Sequence, residues 1–125
     1  MATIRGTSLD DTIFFGIVFP PDVTGGVPSE EDDIIFGLGR NDALDGAPGN
    51  DIVFGGDGND AIGGGEGNDR LFGENGDDYM DGGGDDDLMD GGAGADVMEG
   101  GNGNETMHGG VHDDVMSGQG GNDFL

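Results

Sequence analysis

The chain has 125 residues, enough for one domain, and a formal charge of −25, with only Arg5, Arg40 and Arg70 set against 28 acids. Such a polyanion argues against nucleic acid and anionic membrane as partners and favours cations. Its 31 glycines and four prolines would mean disorder in an aperiodic chain, and the lack of cysteine leaves neither a disulfide framework nor a thiolate metal site.

The first 36 residues contain two imperfect versions of a pattern that becomes regular downstream: Gly6 to Phe14, GTSLDDTIF, and Pro28 to Phe36, PSEEDDIIF. Phe15 to Val27 lies between them, and its Pro20-Pro21 and Gly25-Gly26 pairs suggest a protruding loop. The apolar stretch from Ile13 to Pro21 is broken by Gly16 and too short to span a membrane. Asp10 and Asp11 stand where a signal peptide would be basic, and no small-residue cleavage site follows, so no cleaved signal is expected. Residues 1–36 are expected to cap a repeat domain spanning 37–125, because solenoids need protected ends.

From Gly37 the period is nine without insertion, giving ten units of which the last is truncated. The first column is glycine throughout. The sixth is acidic throughout: Asp42, Asp51, Asp60, Asp69, Asp78, Asp87, Asp96, Glu105, Asp114 and Asp123. The eighth is always apolar: Leu44, Val53, Ile62, Leu71, Met80, Met89, Met98, Met107, Met116 and Leu125. The unit divides into a six-residue turn, with glycines at the first, second and fourth places permitting positive φ, and a three-residue strand whose eighth residue points inward.

A single inward side chain per unit cannot bury a core, so the units must stack, two to a coil. The expected fold is all-β, with strands alternating between two parallel sheets. Leu44, Ile62, Met80, Met98 and Met116 then face Val53, Leu71, Met89, Met107 and Leu125. The methionines are flexible filling for a narrow interior.

Stacking brings turns eighteen residues apart together, and oxygen is the ligand that Ca²⁺ takes, six to eight at a time, from carboxylates and carbonyls. Each sixth-column acid is therefore a candidate ligand. The candidate partners in the turns are Gly56, Gly58, Gly65, Gly67, Gly76, Gly83, Gly92, Gly94, Gly101 and Gly103. Four gaps on each edge give about eight ions. From Gly37 onward 21 acids and two arginines leave −19, which eight Ca²⁺ would bring to about −3. Without metal, that repulsion and the entropy of the glycines oppose a thin core, so folding is expected to require calcium.

These units resemble the repeats-in-toxin (RTX), or haemolysin-type, nonapeptide GGxGxDxUx, U being a large apolar residue; Gly55 to Ile62, GGDGNDAI, fits every defined column. The resemblance implies a right-handed parallel β-roll, calcium between adjacent turns, and a bacterial protein exported to the medium or cell surface, in keeping with a type I route. Arg40, Asp85 and His112 depart from the pattern at the fourth column, and Leu38, Ala47, Glu74 and Gln119 at the second. Glu105 is one methylene longer than its counterparts, so its site should be shifted or weak.

The leading reading is a calcium-binding structural module that folds after export. The alternatives are a calcium-dependent adhesion or surface-assembly protein, pairing end to end through an uncapped last coil, and the accessory domain of a secreted enzyme or toxin. No enzyme is expected, because the many carboxylates are spaced for metal and not gathered in a cleft. His108 and His112 fall on an outward strand position and in a turn, where solvent is the expected neighbour.

Overall fold

The nine-residue period allows one inward apolar residue per unit, and the strands it generates pair with strands two units away instead of with their sequence neighbours. The computed structural model describes residues 3–5, 12–14, 17–18 and 30–125, and every regular element among them is a strand. In chain order these are β1 (Thr3–Arg5), β2 (Thr12–Phe14), β3 (Ile17–Val18), β4 (Ile34–Gly39), β5 (Ala43–Asp45), β6 (Ile52–Asp57), β7 (Ala61–Glu66), β8 (Arg70–Asn75), β9 (Tyr79–Gly84), β10 (Leu88–Ala93), β11 (Val97–Asn102), β12 (Thr106–Val111) and β13 (Val115–Ser117).

One sheet runs β1-β4-β6-β8-β10-β12 and the other β13-β11-β9-β7-β5-β2-β3. All pairs are parallel except β2 with β3, and within the repeats the register steps by eighteen residues, as in Val53 with Leu71 and Ile62 with Met80. The architecture is the expected all-β parallel solenoid, two units per coil. No helix among the described residues is long and apolar enough to cross a membrane.

The core is a double file. Ile4, Ile35, Val53, Leu71, Met89 and Met107 come from one sheet and Leu44, Ile62, Met80 and Met98 from the other, none more than 2% exposed. Four of the five core-column methionines thus fill the interior, and Met116 packs partly against it. Leu125 departs from expectation: it is 57% exposed instead of facing Met116. Among the described residues no further strand pairs with β13 or Phe124 on their outer side.

Two other expectations need correction. Most strands have six residues, not three, because the strand runs on through the first column and the second and third columns continue the ladder; Gly56 pairs with Glu74 and Asp57 with Asn75. The turn proper is therefore three residues long. In the upstream region Ile17–Val18 is not loop but a strand antiparallel to β2. The remainder of the expected loop, and Asp11, lie outside the described residues. The strand of the first imperfect unit does join the repeat sheet, Ile13 standing beside Leu44. Ile4, nine residues before Ile13, adds a core position that the unit boundaries at Gly6 did not include.

Candidate metal centres

Each sixth-column acid closes a turn and leads into the next strand, so stacking sets these acids in two rows, one along each edge of the solenoid. Asp33 to Asp96 and Glu105 are at most 3% exposed, while Asp114 and Asp123 are partly exposed. The backbone holds them there. The Asp60 N–H donates to Asp78 Oδ1 at 2.7 Å, the Asp78 N–H to Asp96 Oδ1 at 2.9 Å, and the Asp51 N–H to Asp69 Oδ1 at 2.8 Å. In return the seventh-column N–H of the next coil donates to the acid's own carbonyl, as Tyr79 does to Asp60 at 2.9 Å.

That bond occupies one carboxylate oxygen and leaves the other. Oδ2 of Asp51, Asp60, Asp69, Asp78, Asp87 and Asp96 is buried with no hydrogen-bond partner, as are both Oε atoms of Glu105. A buried unpaired carboxylate oxygen is costly. Burial accordingly pushes Asp69 and Asp78 up to about 7 and Asp51 and Asp87 up to about 6, partly offset by the N–H from the preceding coil and reinforced by neighbouring carboxylates. Asp60 and Asp96 are raised for the same first cause. Glu105 rises to about 7, from burial and then from Asp123. Held as charged groups, these rows call for a counter-cation.

Carbonyl oxygens complete the surroundings. A Cβ on Gly76 would collide with the Gly58 carbonyl, on Gly94 with that of Gly76, on Gly67 with that of Gly49, and on Gly103 with that of Asp85. In the second column, a Cβ on Gly65 would meet the carbonyl of Ala47, on Gly83 that of Gly65, on Gly92 that of Glu74, and on Gly101 that of Gly83, while one on Gly56 would lie 2.5 Å from that of Leu38; in the fourth column, one on Gly58 would overlap that of Arg40. The turn carbonyls thus project toward the next coil in the same turns that present the unpaired carboxylate oxygens. Among the described residues no three His, Asp or Glu side chains gather into a metal cluster. The donor set that fits is one or two carboxylates with backbone carbonyls, the all-oxygen chemistry of Ca²⁺.

Positive φ belongs to the second and fourth columns only, against the expectation for the first. First-column glycine is required by space. A Cβ on Gly55 would stand 2.5 Å from Asp60 Oδ2, and one on Gly46 would stand 2.6 Å from Asp51 Oδ2. The departures from glycine are visible in the backbone: Leu38, Arg40, Ala47, Glu74, Asp85, His112 and Gln119 all take positive φ, between 64° and 92°. Fourth-column glycines run from 121° to 150°, so the turns at Arg40, Asp85 and His112 have a different shape. The Arg40 side chain itself is exposed.

Glu105 interrupts its row. Every Asp from Asp51 onward accepts an N–H from the coil before it, but no hydrogen bond joins Asp87 N–H to Glu105. His108 is exposed, with Nδ1 3.4 Å from Asp90 Oδ1, and His112 is also exposed.

A second ladder was not anticipated. The fifth column is Asn or Asp in nine of ten units, and its side chains accept N–H groups in the opposite direction: Asn59 Oδ1 from Asp77, Asn68 Oδ1 from Asp86, and Asp77 Oδ1 from Ala95. The recurrence of asparagine was the available signal.

The family model for the RTX calcium-binding nonapeptide repeat (4 copies) matches residues 29–62, 63–98 and 90–125. No curated protein and no solved structure matches the chain significantly. The matched span covers the described repeats and begins upstream of Gly37, in agreement with Asp33, which is buried and whose N–H donates to Asp51 Oδ1 at 2.6 Å. The chain belongs to the RTX calcium-binding nonapeptide repeat family, whose members are typically secreted bacterial proteins.

Proposed function

We propose that this protein is a structural module that binds about eight Ca²⁺ between adjacent coils, and that residues 37–125 fold as the ions bind after export. Residues 1–36 act as its N-terminal cap. The observation carrying this reading is the file of buried, unpartnered Oδ2 atoms in turns whose carbonyls project toward the next coil. In the cytosol calcium is too scarce to fill weak sites, and the repulsion among the acids disfavours the coil stack; in a calcium-rich medium binding and stacking become one event. The ligands are the sixth-column carboxylates from Asp42 to Asp123, with the carbonyls of the second and fourth columns.

Calorimetric titration with Ca²⁺, with far-ultraviolet circular dichroism followed in parallel, tests the proposal. Expected are a stoichiometry near eight and a sheet signal that appears on binding and disappears in EGTA. A stoichiometry near two, or a sheet signal untouched by chelation at neutral pH, would reject it.

A further inference from the structure

The ninth column points outward on both sheets, but its two halves differ. On one sheet it reads Asp45, Gly63, Asp81, Glu99 and Ser117. On the other, in register, it reads Arg5, Phe36, Phe54, Phe72, Asp90 and His108. Phe36, Phe54 and Phe72 form a stacked ladder, ring centroids 5.0 Å apart at each step and planes within 12°. The Arg5 guanidinium lies 5.1 Å from the Phe36 ring centre and that of Arg70 5.6 Å from that of Phe72. Ile34, Ile52 and Leu88 border the ladder and, like the three rings, are partly exposed. Neither the fold nor the metal turns require aromatics here, since acids fill the same column in other units.

The order of this column is cation, three aromatics, anion. A two-fold axis parallel to the strands and passing over Phe54 maps the column onto itself reversed. Phe54 then meets Phe54, Phe36 meets Phe72, and Arg5 meets Asp90. At the anionic end the surface holds a cavity of about 210 Å³ lined by Phe54, Phe72, Glu74, Asp90 and Gly92. An aromatic wall with two carboxylates is what a guanidinium seeks.

We propose that two calcium-loaded copies pair face to face through this sheet, each inserting Arg5 into the cavity lined by Phe72, Glu74 and Asp90 of the other. Self-complementarity of this kind is the requirement for a closed two-fold interface. The aromatic centre supplies apolar burial and the charged ends fix the register. The pairing rests on the calcium reading only because the sheet must be folded for the column to exist.

Sedimentation velocity of the full chain in saturating calcium, over a concentration series and with the sheet signal recorded on the same samples, tests it. A dimer is expected. Phe54→Ser should raise its dissociation constant about a hundredfold or more. Asp90→Arg and Arg5→Asp, both at outward-pointing ninth-column positions, should each raise it about tenfold, and combining them should restore it. A folded chain that stays monomeric overturns the pairing alone. So does a dimer indifferent to Phe54→Ser, or a double variant no better than either single one. A chain without sheet in saturating calcium would overturn the calcium reading, and the pairing with it.

Discussion

Replacing Glu105 with Asp should strengthen the stack, although it removes a methylene from a buried position. Asp87 N–H has no acceptor in Glu105, whereas the equivalent donors of Asp51, Asp60, Asp69 and Asp78 reach the next carboxylate at 2.7 to 2.9 Å. Both Glu105 oxygens are buried and unpaired, against one in each neighbouring Asp. The shorter side chain places one oxygen where the N–H points, gaining a hydrogen bond to a charged acceptor worth about 1.5 to 3 kcal/mol. Loss of the methylene offsets roughly 1 kcal/mol of that. A net gain of about 0.5 to 2 kcal/mol corresponds to a rise of roughly 2 to 10 °C in the melting temperature of a unit of this size. The assay is thermal unfolding by circular dichroism at fixed free calcium, for the native chain, Glu105→Asp and the reverse change Asp87→Glu, which should lower the midpoint. A Glu105→Asp variant that melts at or below the native temperature would refute the inference that the broken row is a defect.

Three further outcomes follow from the same geometry. Ala95 leaves Asp113 N–H without the fifth-column acceptor that Ala95 N–H itself finds in Asp77 at 2.9 Å, so Ala95→Asn should stabilise by about 0.5 to 1 kcal/mol in urea unfolding. Gly82→Ala puts a methyl against Asp87 Oδ2 and 2.6 Å from the Gly100 carbonyl and should cost about 3 kcal/mol or more; Gly84→Ala, whose nearest atom is 3.9 Å away, should be neutral or stabilising by up to about 1 kcal/mol in the same melts. Because burial raises the folded values of Asp51, Asp69, Asp78, Asp87 and Glu105 to about 6 or 7, the metal-free fold takes up protons. Its stability is full below the unfolded carboxylate range, falls as pH rises through 6 and 7, and changes by about 1.4 kcal/mol per pH unit for each such group. In EGTA, sheet signal should therefore grow between pH 8 and pH 5, and a chain equally unfolded at both would contradict the burial of these acids.

The core and the acidic rows were legible in the sequence because each depends on one column at a fixed period. Leu44 to Met107 fall where alternation along a strand puts them, and Asp42 to Glu105 fall at the turns. What was missed depends on relations across eighteen residues. Asn59 looks like an ordinary turn residue until Asp77 N–H is placed over it, and the ninth column looks mixed until it is split by sheet, when Phe36, Phe54 and Phe72 separate from Asp45, Gly63 and Asp81. A recurring first-column glycine suggests backbone conformation, because positive φ is the usual reason for such a glycine. The carboxylate folded beneath it, as Asp60 is beneath Gly55, can be seen only in three dimensions. The length of the strands was hidden likewise, since Gly55-Gly56-Asp57 carries no strand propensity and extends the strand through the register of Gly56 with Glu74 and of Asp57 with Asn75.

The two side-chain ladders also explain why no unit should hold its form alone. In the sixth column a coil's N–H is satisfied by the carboxylate of the coil after it; in the fifth, its side chain satisfies the N–H of the coil after it. Each coil is therefore both donor and acceptor to the next through side chains, in addition to the backbone ladder between strands. Removing one coil leaves orphaned groups on both sides of the gap, so stability accrues at the junctions between coils and not within them. A cation placed in such a junction neutralises a carboxylate whose position is already fixed by the neighbouring N–H, so little further ordering is required of the ligand. Departures such as Glu105 and Ala95 weaken one junction each and leave the others intact, which makes the repeat tolerant of isolated substitutions in the fifth and sixth columns. The same logic does not protect the first column, where an added methyl displaces the carboxylate and blocks the approach of the next coil in one step.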